Sequence, residues 1–254
     1  MAYARVTEWR THLESRGLAP GSINRRLTAL KSLCKRLSIA GAIPYELAID
    51  RLPEELYRDT AGPGVVAVGT MLQDTDRGRD ADVRDRSIIR LLADLALRRQ
   101  ELTSLDVSDV DLPQKALWIL RKGKRQRVKV TLTRRAVEDL TAWLDIRACL
   151  DLPCPDGKHP LFVPIDRHGH LRPMRLTGTG VYLIIRGRGL KAGTTARPHG
   201  IRHTSAIAAL QATGGSLEAV RVLLGHSGYQ AAQHYLREAH GLQAQVSELI
   251  SSGW

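Results

Sequence analysis

The sequence predicts a mainly α-helical chain with one small antiparallel β-sheet, divided into two domains. Three observations lead there. Apolar residues recur at helical spacing over most of the 254 residues. Residues 116–132 switch to strand patterning around a polar turn. A segment punctuated by glycine and proline, Thr60-Ala61-Gly62-Pro63-Gly64, follows a swing from basic to acidic sequence. With 43% hydrophobic and 25% charged residues, the chain is globular and too apolar for a disordered one.

The elements follow in order. Val6, Trp9 and Leu13 mark a first helix, and Gly17 is its stop. Ser22 is placed to cap a second helix, whose stripe Ile23, Leu27, Leu30, Cys34 and Leu37 runs to Gly41. Arg25, Arg26, Lys31, Lys35 and Arg36 lie largely off that stripe. One core face and one basic face suit a DNA groove. These helices make an N-terminal helical DNA-binding domain, residues 1–60. Residues 61–75 are read as linker and the start of a second domain, which occupies 76–254. There, residues 84–97 form a helix with Ile88, Leu91, Leu92 and Leu95 on one face. The runs 117–120 and 128–132 pair as a hairpin with a very basic tip, Arg121 to Arg127. Residues 134–150 return to helix. The segment 151–180 is loop with a short strand at Leu161-Phe162-Val163. Helices follow near 180–187, 200–213, 217–224, 230–240 and 242–251.

Charge narrows the function. Thirty-eight Lys+Arg against 26 Asp+Glu give +12, which points to a polyanion and first to nucleic acid. Residues 1–41 hold eight basic and two acidic side chains. Residues 121–135 and 167–217 each hold eight basic residues and no acid. Aromatic content is 4%, which argues against single strands stacked on aromatic platforms and for a duplex gripped through its phosphates. No apolar run approaches the ~18 residues of a membrane span. The N-terminus lacks the apolar core of a signal peptide. Three cysteines make no disulfide scaffold, so a cytoplasmic location is expected.

The residues with chemistry are dispersed. Ala96-Leu97-Arg98-Arg99-Gln100-Glu101-Leu102 closes a helix, and Lys122 sits on the basic hairpin. Pro198-His199-Gly200-Ile201-Arg202-His203-Thr204 opens another helix. Leu224-Gly225-His226-Ser227 follows, and Tyr235 comes nine residues after His226. In this order and spacing the chain resembles the tyrosine recombinases, the phage-integrase or Xer-like family. That family's signatures read Gly-Leu-Arg-x-x-Glu-Leu, His-x-x-Arg-His-Thr and Leu-Gly-His-Ser, with a lysine in a Gly-Lys-Gly-x-x-x-Arg hairpin. Two glycines are replaced here, by Ala96 and by Arg121. The resemblance covers about residues 65–240, with a weaker match over 5–41 to the family's N-terminal helical domain.

The resemblance implies a core-binding (SAM-like) N-terminal domain and a tyrosine-recombinase catalytic domain. It implies a site-specific recombinase or integrase that cuts and rejoins duplex DNA through a 3′-phosphotyrosine, without metal, ATP or another cofactor. Tyr235 would be the nucleophile. Arg98 and Arg202 would give forked hydrogen bonds to the phosphate, with charge greatest in the transition state. His199 would take the tyrosine proton, His226 would bond the phosphate, and Lys122 would protonate the departing 5′-oxygen. Lys124 and Lys129 are close rivals for that last role; registering Arg127 on the family's hairpin arginine picks Lys122. Glu101 is read as structural and His203 as a packing residue. Arg121, Lys124, Arg125 and Arg127 are read as DNA contacts beside those of the second helix.

The implied partner is double-stranded DNA with inverted-repeat core sites. The chain is expected to be a monomer in solution and a homo-tetramer in the synaptic complex. Leu242, Val246, Leu249 and Ile250 form one apolar face of a last helix, for exchange between neighbours or packing in cis. The family's relatives carry about one more helix ahead of Val6, so the N-terminal domain is expected to be short. Cys149, Cys154, His159, His168 and His170 have metal-ligand chemistry, but their spacing matches no common zinc pattern. Residues 217–235 mimic a helix-turn-helix, yet a transcription factor has no need of Arg98, Lys122, His199, Arg202 and Tyr235 together. Type IB topoisomerases share similar chemistry; the compact size and the Leu-Gly-His-Ser box favour recombination.

Overall fold

The computed structural model describes residues 2–53, 62–75, 78–149, 158–225 and 228–229. The expected helices at 230–240 and 242–251, and His226 and Tyr235, lie outside the described residues. The chain forms two compact units, residues 1–59 and 60–254.

In the first unit, α1 (Ala2–Ser15) and α2 (Pro20–Ile39) pack on the segment that follows them. Leu13, Ile23, Leu27, Leu47 and Ile49 are its core. Gly17 has φ +70° just past α1, the left-handed stop its position predicts. Ser22 is not the cap. Pro20 opens α2 behind Ala19, because its fixed φ suits the first helical position and its missing N–H is no loss there. Ser22 therefore falls inside the first turn. Asn24 clamps the covering segment: Nδ2 donates to the Leu52 carbonyl at 2.9 Å, and Oδ1 accepts from the Leu52 N–H at 2.9 Å. Burial is deepest at that end of α2. The stripe fades to exposure by Leu37, and Trp9 is likewise exposed. Arg25, Arg26, Lys35 and Arg36 are exposed and Lys31 is half-buried.

The second unit is built around α4 (Asp80–Asp94), which packs against α3 (Gly64–Asp74), α5 (Arg99–Thr103), α6 (Arg134–Ala148), α7 (Gly178–Lys191) and α8 (Pro198–Ala212). Its apolar face is the one expected: Ile88, Leu91 and Leu92 are fully buried, and Leu95 caps it. Several of its polar positions, Asp82, Arg84, Asp85 and Arg90, are buried as well, in ion pairs. Arg86 and Arg90 donate to Asp139 of α6 at 2.8 and 2.9 Å. Arg188 of α7 donates to Asp85 at 2.7 Å and Asp82 at 2.6 Å. These pairs fix the angles at which helices leave α4, since an unpaired buried charge is costly.

The sheet has three strands in the order β1 (Val110–Asp111), β2 (Ala116–Ile119), β3 (Val128–Thr131), all antiparallel. The expected hairpin is β2–β3, with Leu117 opposite Val130. β1 was not expected; two residues are too few to show alternation. Leu161, Phe162 and Val163 are buried but form no strand. Their backbone groups are satisfied one at a time: Leu161 N–H by the Leu105 carbonyl, Leu161 C=O by Trp143 Nε1, and Phe162 C=O by the Leu176 N–H.

The acid-free block 167–217 is not one basic surface. Arg188 and Arg202 are buried, Arg172 pairs with Asp166, and Arg175 pairs with Asp106. Acids distant in sequence neutralise it. Among the described residues, no helix is long and apolar enough to cross a membrane.

Candidate active site

The site begins where α4 ends. Ala96 has φ +48° and is fully buried. This is where the recombinase signature has glycine, and a left-handed L-residue costs roughly 1–2 kcal/mol. Two contacts offset the strain. The Ala96 methyl packs with Ala206, Leu210, Val220 and Leu224. The Ala96 carbonyl accepts a hydrogen bond from Arg202 Nη1. The turn then delivers Arg98 to the N-cap of α5.

Glu101, in the first turn of α5, gathers the neighbourhood. Its Oε2 accepts from the Arg98 N–H at 2.9 Å and from Arg121 Nη1 at 3.1 Å. Its Oε1 accepts from Arg98 Nη1 at 2.7 Å and from the Lys122 N–H at 3.4 Å. Burial alone would raise its pKa; the Arg98 hydrogen bonds and the Arg121 charge outweigh that and hold it below the usual carboxylate range. The clamp therefore stabilises the fold above the usual carboxylate range, and this contribution is lost as pH falls below that range through the lowered pKa.

The basic hairpin divides in two. Arg121 at its base is buried and committed to Glu101, so it is not the exposed DNA contact its charge suggested. Arg127 is exposed, yet its guanidinium also has a partner, donating to Asp109 at 2.6 Å. Lys122, Lys124 and Arg125 are exposed. Lys129 is tied to Gln114 at 2.7 Å and lies over the Trp118 ring, which sets it apart from the tip.

α8 starts at Pro198, which places His199 exposed in its first turn and Arg202 one turn further. Arg202 is 2% exposed. Its Nη2 donates to the Leu224 carbonyl at 2.9 Å while Nη1 holds Ala96. His203 is buried, its ring edge-on to His199 with centroids 6.0 Å apart. Thr204 Oγ1 accepts from the Gly64 N–H at 3.2 Å, so the start of this unit is strapped to α8.

α9 (Leu217–Leu224) completes the cluster. Ser216 caps it by accepting from the Ala219 N–H, and Gly225 ends it at φ +60°. A Cβ on Gly225 would lie 2.8 Å from Arg121 Nε. The guanidinium thus packs directly on the residue before His226. Gly225→Ala is expected to destabilise the chain by about 1–3 kcal/mol, combining left-handed strain with the clash. Urea unfolding that leaves the midpoint unchanged would contradict this packing.

Glu101 and Arg202 thereby bring Arg98, the hairpin base carrying Lys122, and the Leu224–Gly225 end of α9 into one cluster. Two features escaped sequence reasoning. The left-handed turn at Ala96 had one signal, the glycine of the signature. The burial of Arg121 had none within its own charge run. Among the described residues, no three histidine, cysteine or acidic side chains group to hold a metal ion. Cys149 is exposed, and Cys154 lies outside the described residues.

A sequence profile described as the phage integrase family matches residues 67–241. A tyrosine recombinase of Synechococcus elongatus is 36% identical over 98% of this chain and 77% of its own length. One from Synechocystis is 34% identical over 98% of this chain and 79% of its own. The XerH site-specific recombinase, in a post-cleavage complex with a palindromic difH substrate, shares the fold. Its TM-score is 0.73 at 18% identity, over 97% of this chain and 72% of that one. The Tn1549 transposon integrase, in complex with transposon right-end DNA, gives 0.70 at 17% identity over 98% and 85%. With the profile covering well over half the chain and the relatives matching nearly all of it, the chain belongs to the phage integrase family and is a tyrosine-type site-specific DNA recombinase.

Proposed function

We propose that this chain recombines duplex DNA at paired inverted-repeat core sites, with Tyr235 as nucleophile. The Tyr235 oxygen attacks the scissile phosphorus, the 5′-oxygen leaves, and a 3′-phosphotyrosine joins protein to DNA. Arg98 and Arg202 balance the charge that grows on the non-bridging oxygens. His199 accepts the tyrosine proton, Lys122 protonates the leaving oxygen, and His226 bonds the phosphate. The phosphotyrosine conserves the bond's energy, so the reverse attack by a 5′-hydroxyl needs no ATP.

The observation that carries this reading is the Glu101 and Arg202 cluster. One carboxylate orients Arg98 and the Lys122 backbone, and one arginine ties the Arg98 turn to the end of α9. Lys122 is favoured over Lys124 because its backbone is anchored to the same carboxylate as Arg98. Lys129 is disfavoured by its ties to Gln114 and Trp118.

The basic face of α2 and the hairpin tip, Lys124 and Arg125, are the proposed phosphate contacts. Residues 1–59 act as the core-binding domain and residues 60–254 as the catalytic domain, whose core includes Val68, Met71 and Leu72 of α3, so that 62–75 belongs to the catalytic unit rather than to a linker. The chain works in the cytoplasm, as a monomer that assembles into a tetramer on two sites, residues 242–254 passing between neighbours. The test begins with a duplex selected from a random-sequence pool by binding to the full chain. Incubating two labelled copies of that duplex should give recombinant strands. Relaxation of supercoiled plasmid without exchange would instead favour the topoisomerase reading.

Binding should be steeply salt-dependent. With six or more phosphates neutralised, affinity falls by ~1000-fold or more between 50 and 200 mM salt. The fragment 65–254 should show a flatter slope in fluorescence anisotropy. An unchanged slope removes the first unit from the interface.

A further inference from the structure

We infer that Arg121 is a positioning residue for the strand-cleavage step, holding Arg98 and the Gly225 end of α9 in register through one guanidinium. The idea rests on the recombinase reading of the site and goes beyond it, because the family's hairpin motif has glycine at this position. A glycine has no side chain to reach Glu101. Here an arginine is buried at 6% exposure and makes two contacts at once. Its Nη1 donates to Glu101 Oε2 at 3.1 Å, on the carboxylate that receives the Arg98 N–H and Arg98 Nη1. Its Nε side packs on Gly225, so closely that a Cβ there would sit at 2.8 Å.

Arg121 itself joins those two contacts, and Glu101 carries the first of them on to Arg98. Without Arg121, Glu101 keeps Arg98 and the Lys122 amide, but the hairpin base is no longer braced against the end of α9. Arg98 keeps Glu101, but that carboxylate then lacks the Arg121 bond that braces it and aims Arg98 less rigidly. A planar guanidinium suits this task because it hydrogen-bonds along one edge and stacks through its face, which an ammonium does not. Arg121 is a positioning residue that acts through Arg98 and Gly225.

The test uses the full chain and the selected duplex as a nicked half-site, in two forms. One carries the ordinary scissile phosphate. The other carries a methylphosphonate, in which a methyl group replaces one charged oxygen, so less charge falls to Arg98. Arg121→Ala should bind the duplex within about threefold of the parent. Its single-turnover covalent attachment on phosphate should be slower by roughly 30-fold, part of the ~100- to 1000-fold cost of losing a transition-state donor outright. On methylphosphonate the deficit relative to the parent should shrink to about threefold. Equal deficits on both substrates mean Arg121 is merely structural and overturn the inference, as does a normal rate on phosphate. Should Arg121→Ala fail to fold, Arg121→Lys keeps the charge pair with Glu101. A loss confined to phosphate then supports the inference, and no loss or an equal loss overturns it. If the parent chain itself forms no adduct, the recombinase reading fails instead, so the two failures are told apart.

Discussion

Arg202→Ala is expected to lower DNA cleavage by roughly 100- to 1000-fold, the usual cost of removing one transition-state charge donor. It should also destabilise the fold. Arg202 donates to the carbonyls of Ala96 and Leu224, both in fully buried residues, and alanine leaves both acceptors to find other partners. An unsatisfied buried group costs about 1–3 kcal/mol. A guanidinium carries five N–H groups in a planar fork, so one side chain can make several directed hydrogen bonds at once. Arg202→Lys should rescue little, because one ammonium cannot span both carbonyls and also fork onto a phosphate. Arg98→Ala makes the contrast. It should lose a comparable factor in cleavage and less stability, since the Arg98 side chain pairs with Glu101, and that carboxylate keeps Arg121. Single-turnover cleavage beside thermal unfolding measures both. Full-rate cleavage by Arg202→Ala would remove it from the chemistry and leave it a staple between α8 and its neighbours.

Tyr235→Phe is expected to abolish covalent attachment while leaving duplex binding within a few-fold. The phenol oxygen forms the new bond to phosphorus, and no other group on phenylalanine can do so. Its removal subtracts little contact area, so affinity and catalysis separate cleanly. The measurement is a denaturing gel of the protein–DNA adduct beside a binding isotherm for the same variant. An adduct of undiminished yield would direct attention to Tyr229 or Tyr182. Tyr229 already donates to Glu218 at 2.8 Å and stacks with Arg221, which ties it to α9.

Much of the fold was legible because burial imposes a period. Ile88, Leu91 and Leu92 lie on one face of α4 since only that face meets the core, and the sequence repeats at that spacing. The β2–β3 hairpin was legible for the same reason at period two. β1 was not, because two residues carry no period. The start of α2 was misjudged because a polar cap competed with Pro20, and proline's fixed φ prevailed. Charge was read least well. A run of basic residues shows how many cations there are and not which of them already have a partner. Arg121 finds Glu101 from 20 residues away, and Arg127 finds Asp109 from 18 away. Both pairings depend on the sheet bringing distant segments together, which no local window contains. The same limit hid the buried state of Arg188, whose acids belong to α3 and α4.

The most direct measurement maps the covalent adduct. The full chain is incubated with a nicked half-site of the selected duplex in excess EDTA, the adduct is digested, and the nucleotide-bearing peptide is sequenced by mass spectrometry. The account predicts undiminished yield in EDTA and a single modified residue, Tyr235, bonded to a 3′-phosphate. An adduct that requires Mg²⁺, that maps to another residue, or that carries a 5′-phosphate would contradict it.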